Sequence, residues 1–159
     1  MIWTCGPAST GSTQSPQPAQ SAAAPAAATL EPCSVIAKGD VEQVVGKPVG
    51  EGKLNAINKS ICEFNIDEMG SAISFMLTPR SLEDTVDKLL AEMSKRKIHA
   101  EPLAGMGDGA YRAVSYGMRQ AGAYKGRKHV VVTVAVPGME PTRAQAIADQ
   151  ALRKALERL

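Results

Sequence analysis

The chain has 159 residues, a formal net charge of +2, and 44% hydrophobic but only 4% aromatic residues. That length predicts one domain, and so small a charge gives no reason to expect a nucleic-acid partner. No apolar run reaches the roughly eighteen residues a membrane-spanning helix needs, and the few aromatics mean a core built from Val, Ile, Leu, Met and Ala.

Residues Gly6 to Glu31 are almost only Ala, Ser, Thr, Gln, Pro and Gly, with Glu31 the single charge. Such a segment has too little apolar surface to offset the entropy lost on ordering. Residues 1–31 are therefore expected to be a disordered tether and residues 32–159 a single α+β domain.

Val35 to Val45 contains a short helix with Val41, Val44 and Val45 on one stripe, stopped by Gly46. Residues 47–59 read as a loop. Two alternating runs follow: Ile61 to Ile66, with Cys62, Phe64 and Ile66 on one side, and Ala72 to Thr78, with Ile73, Phe75 and Leu77 inward. The turn Asp67–Ser71 between them completes a β-hairpin. Ser81 with Asp84 in a capping-box arrangement opens a helix whose buried stripe is Leu82, Val86, Leu89, Leu90 and Met93. Ala110 to Met118 and Lys128 to Val136 read as strands joined by a loop from Arg119 to Arg127. A last helix starts near Pro141, with an apolar stripe running from Ala144 to Leu159. The order α-ββα-ββα predicts a four-stranded antiparallel sheet with the two long helices packed on one face.

The three cysteines divide unevenly: Cys5 lies in the first residues of the tether, and Cys33 and Cys62 lie in the folded part. The expected arrangement pairs Cys33 with Cys62 and leaves Cys5 to be modified; two buried free thiols are the alternative. A Cys33–Cys62 bridge closes about thirty residues, worth roughly 3 to 4 kcal/mol in the chain-entropy account.

The segment Gly105-Met-Gly-Asp-Gly-Ala-Tyr111 has the glycines of a phosphate cradle but lacks the strand–turn–helix context a dinucleotide fingerprint needs. A tight turn, with Asp108 bonding its own backbone, is the simpler expectation. His99 and His129 lie at no metal-ligand spacing, no Ser nucleophile elbow is present, and no cofactor or metal is expected. A hydrolase or transferase using Asp108 and His129 is a remote alternative.

One stretch is unusual in charge. No acidic residue lies between Asp108 and Glu140, where Arg112, Arg119, Lys125, Arg127 and Lys128 alternate with Tyr111, Tyr116 and Tyr124. Elsewhere in residues 32–159, and counting those two flanking acids, thirteen basic residues stand against fifteen acidic ones. Arg119, Tyr124, Lys125, Arg127 and Lys128 are thus the candidate surface for an anionic ligand or acidic partner, with a merely solvated hairpin as the alternative.

Ile2-Trp-Thr-Cys5-Gly resembles the remnant of a bacterial lipoprotein signal. Together with the Ser/Pro/Ala tract, the helix ending Val-Val-Gly46, Ile-Cys62-Glu-Phe and Gly-Met-Gly-Asp-Gly-Ala-Tyr111, the chain resembles small actinobacterial cell-envelope lipoproteins of unknown function. The resemblance implies export, lipidation at Cys5, the Cys33–Cys62 bridge and no established catalysis. The chain is expected at the extracytoplasmic side of a membrane, binding an anionic envelope component or an envelope protein, or docking on a larger assembly through an apolar sheet face. The tether would reach about 28 Å as a flexible coil and roughly 80 Å as an extended polyproline helix.

Overall fold

The structure, a computed structural model, describes Met1 and residues 31–159. Cys5 and the expected tether lie outside the described residues. After a single 3₁₀ turn (Pro32–Ser34) the elements are α1 (Lys38–Val45), β1 (Lys53–Leu54), β2 (Ile61–Asn65), β3 (Ala72–Pro79), α2 (Val86–Lys95), β4 (His99–Leu103), β5 (Gly109–Ser115), β6 (Met118–Lys125), β7 (Lys128–Ala135) and α3 (Pro141–Glu157).

The strands form one seven-stranded sheet in the order β1-β2-β3-β7-β6-β5-β4, antiparallel throughout. The four-stranded sheet is thus corrected to seven strands with three helices. From β3 the chain crosses by way of α2 to the far edge, and the meander β4–β7 then returns to pair with β3.

The helices do not share a face either. On one side α1 and α3 cover Cys62, Phe64, Ile73, Phe75, Leu77, Val130, Val132 and Val134. On the other, α2 lies over Tyr111, Ala113 and Val131. The reason is legible in β7: Val130 to Val134 is apolar on both sides save Thr133, the pattern of a strand buried on both faces.

Three strands absent from the sequence reading explain the rest of the discrepancy. β1 lies within the expected loop 47–59. β4 is an edge strand carrying Pro102, whose missing N–H is tolerated only at an edge. β6 occupies what was expected to be the loop 119–127. Its Ala, Gly, Gln and Lys are poor strand formers, but small side chains are what this position requires. Ala121 and Ala123 lie fully buried on the α3 side, and Gly122 sits beneath the ring of its cross-strand partner Tyr111.

The hairpin β2–β3 and the terminal helix stand where the periodicity puts them. α1 ends at Gly46 in a left-handed conformation, φ 81°. α2 begins later than expected. Thr85 caps it by accepting from Lys88 N, while Asp84 instead closes a turn by accepting from Ser81 N at 2.9 Å, and Leu82 is exposed. Cys33 and Cys62 are joined, Cα–Cα 5.0 Å, stapling the entry turn to β2.

Candidate functional site

Two places concentrate polar chemistry. The first is a buried stack between the sheet and the start of α2. Tyr111 Oη lies 3.1 Å from His129 Nε2; the His129 ring centroid is 4.6 Å from that of Tyr124, and the Arg80 guanidinium lies 4.3 Å above Tyr124. Arg80 in turn reaches Asp108 Oδ2 at 3.2 Å. Burial, reinforced by the Arg80 charge, pushes the His129 pKa down to about 4, so the ring is neutral at ordinary pH. Burial likewise raises the Tyr111 and Tyr124 phenols, which keep their protons. Arg80 also donates to the Asp84 and Gly126 carbonyls, which ties the stack to the loops around it.

Asp108 and His129 are not brought together as a catalytic pair. Asp108 accepts from Arg80 and from Gly126 N at 2.7 Å, and His129 turns to Tyr111. Nor does Asp108 bond its own backbone as the turn reading expected: it clamps the Gly105–Gly109 loop to the β6–β7 turn, with its own N–H donating to Tyr124 O at 2.7 Å.

The second place is a cleft of about 290 Å³ on the α3 side, where α3 covers β6 and β7 and leaves the outer strands β4 and β5 open. Its lining includes His99, Glu101, Arg112, Arg119, Thr142 and Gln145. Arg112 is bound by Asp149 and, at 3.6 Å, by Glu101, and its pKa is raised chiefly by the Asp149 hydrogen bond. Glu140 caps α3, accepting from Thr142 N at 3.0 Å and Arg143 N at 2.8 Å, and these amides hold its carboxyl below the usual range. The helix start is thus already occupied. Arg119, half-buried at the cleft wall, forms no salt bridge among the described residues.

The five candidate residues of the basic stretch are separated by the strand they occupy. Arg119 and Lys125 are six residues apart in β6, roughly 20 Å at an extended rise. Arg119 opens on the cleft. Lys125 donates to the Leu156 carbonyl at 2.6 Å, satisfying the last turn of α3. Tyr124 is buried in the stack. Arg127 is exposed at the β6–β7 turn, with Lys128 half-exposed beside it. A continuous basic loop is therefore replaced by one cation at the cleft and a separate pair at the opposite end of the sheet. His99 and Gln145 escaped the sequence reading because only strand pairing and helix packing bring them to Arg119.

Among the described residues no group of three His, Cys, Asp or Glu could hold a metal ion, and no helix is long and apolar enough to cross a membrane. No protein-family model, curated protein or solved structure matches the chain.

Proposed function

We propose that this domain is a non-catalytic binding module, tethered through a lipidated Cys5 to the extracytoplasmic face of a membrane, that takes an anionic envelope component in the cleft between β4–β6 and α3. The observation that carries the reading is Arg119: a half-buried cation at the wall of a cleft that forms no salt bridge among the described residues, Glu140 being a carboxylate its charge reaches. The Cys33–Cys62 bridge supports the address, because structural disulfides persist in oxidising compartments.

The test is calorimetric titration of the purified chain with a phosphorylated polysaccharide, with a neutral dextran as control. Salt-sensitive binding is expected, weakened at least fivefold by Arg119→Gln and little changed by Arg127→Gln with Lys128→Gln. The reverse order of sensitivity would move the site to the β6–β7 turn, and no binding would remove the cleft as an anion site.

A second reading, an accessory subunit that docks on an envelope protein, rests on α2. Val86, Leu89, Leu90 and Met93 form its apolar stripe, yet no residue of α2 is fully buried. A stoichiometric partner retained on the wild type and lost with Leu90→Asp would favour it.

A further inference from the structure

We propose that the end of the sheet formed by the β2–β3, β5–β6 and β7–α3 connections rests on an anionic bilayer surface, with Tyr116 at head-group level and Arg96 and Lys97 against lipid phosphates. This contact is separate from the cleft at Arg119 and stands even if that cleft binds nothing.

Four observations meet at this end. Tyr116, at the tip of the β5–β6 turn, is 97% exposed, and Met69 on the adjacent β2–β3 turn is 87% exposed. A Tyr so placed buries nothing in its own chain, while its apolar ring and polar hydroxyl suit a membrane–water interface. Second, the non-glycine residues with left-handed backbone among those described are Tyr116, φ 51°, and Lys97, φ 58°, both here. Each belongs to a tight connection at this end: Tyr116 and Gly117, φ 78°, form the two-residue β5–β6 turn, and Lys97 closes α2, with Ile98 N donating to the Met93 carbonyl.

Third, Tyr116 borders two hollows. One, about 270 Å³, is lined by Gly70, Met118, Val136, Pro137 and Met139 on its far side. The other, about 380 Å³, holds Arg96, Lys97, Ile98 and Ser115. Fourth, Arg96 and Lys97 form no salt bridge among the described residues. The carboxylates nearby are largely committed: Asp67 accepts from Met69 N and Ser71 N and lies 3.9 Å from Lys47, and Glu140 caps α3. Glu68, exposed on the same turn, and Glu92, bonded to Lys95 and within reach of the Arg96 charge, are the opposing charges.

Exposed Tyr and Met tips, with exposed cations beside Tyr116 on its β4 side, offer an anionic bilayer both an interfacial ring and opposite charge. The expected tether permits this pose. Cys62 lies three residues from the sheet end at Asn65, about 10 Å at strand rise, well inside the reach of the twenty-six residues between Cys5 and the domain.

The test uses the full unacylated chain in co-sedimentation with vesicles of phosphatidylcholine alone and with 30% phosphatidylglycerol. Binding to the anionic vesicles only is expected, reduced roughly tenfold or more by Arg96→Gln with Lys97→Gln and reduced severalfold by Tyr116→Ser. These positions are exposed, and unchanged thermal unfolding will confirm intact variants. Arg119→Gln should leave vesicle binding near wild type while weakening polysaccharide binding, which separates this contact from the cleft. Equal binding to both vesicle types, wild-type binding by either variant, or loss in Arg119→Gln as large as in the double variant would overturn the end-on contact. So would a membrane protein crosslinked at Tyr116 with no lipid binding, which would assign the tip to a protein partner.

Discussion

Gly122 and Tyr111 face each other across β5 and β6, and substituting the glycine tests the buried stack directly. A Cβ on Gly122 would lie 2.4 Å from Tyr111 Cζ and 2.5 Å from its Cε1 and Oη. The ring cannot easily retreat: it is 2% exposed, packed on the α2 side of the sheet, and its hydroxyl meets His129 Nε2. Overpacking of this kind costs about 1–3 kcal/mol, and parting Tyr111 from His129 in a buried site about 1–3 more. Replacing a strand glycine returns about 0.5–1 kcal/mol. Gly122→Ala should therefore destabilise by about 3 kcal/mol. Tyr111→Ala alone should cost about 3–5 kcal/mol through the cavity it leaves. In the double variant the new methyl enters vacated space, so the total should fall short of the sum by about 2–3 kcal/mol. Urea unfolding of the oxidised protein measures all four corners of the cycle. Additivity within about 0.5 kcal/mol would refute the close approach of Tyr111 to Gly122.

Two further effects follow from groups already placed. His129 has a folded pKa near 4 against an ordinary 6.5, so between those values the unfolded chain binds more protons than the native one. Its contribution to stability is full above about pH 6.5 and is lost as pH falls toward 4, a total of roughly 3 kcal/mol. Unfolding free energies measured across that window should show the loss, and His129→Gln should flatten it; an equally steep fall in the variant would assign the acid sensitivity elsewhere. Replacing Cys33 and Cys62 by Ala opens a loop spanning 29 residues and should cost about 3–4 kcal/mol, read as a lower urea midpoint that reducing agent no longer changes. A loss under 1 kcal/mol would mean the entry turn is held chiefly by the burial of Val35 and Ile36.

Elements with one-sided burial and bulky residues were readable from sequence. Cys62, Phe64, Ile73 and Phe75 alternate because the opposite face of β2 and β3 is half-solvated. α3 shows an unbroken stripe because it lies flat on β6 and β7. β6 and β4 were hidden for opposite reasons. β6 is so closely packed that only Ala and Gly fit at its centre, and these carry no alternation of hydrophobicity. β4 is so exposed that His99, Glu101 and Pro102 look like loop. The same strand divides the candidate surface: once residues 118–125 form a strand, successive side chains point to opposite faces, and five clustered letters become four separate places. Arg96 and Lys97 gave a different signal, that of basic residues complementing a helix C-terminus; their nearness to Tyr116 depends on β4 pairing with β5.

The closed parts of this fold also narrow where a ligand can act. One face of the sheet is sealed by α1 and α3, and half of the other by α2. What remains open on that second face carries Glu63, Ser74, Thr78 and Thr133, a polar surface that water satisfies. The edges invite little strand addition: β1 has two residues and β4 carries Pro102. At one end of the sheet, Asp108, Arg80 and Gly126 tie the connecting loops to one another and use up their polar groups. At the other end no such clamp draws Tyr116, Met69, Arg96 and Lys97 together, and the cleft at Arg119 opens alongside. Both proposed contacts thus fall at the end of the sheet where the chain leaves its side chains unspent, Arg119 lying three residues from the Tyr116 tip, opposite Val114 in the β5–β6 hairpin.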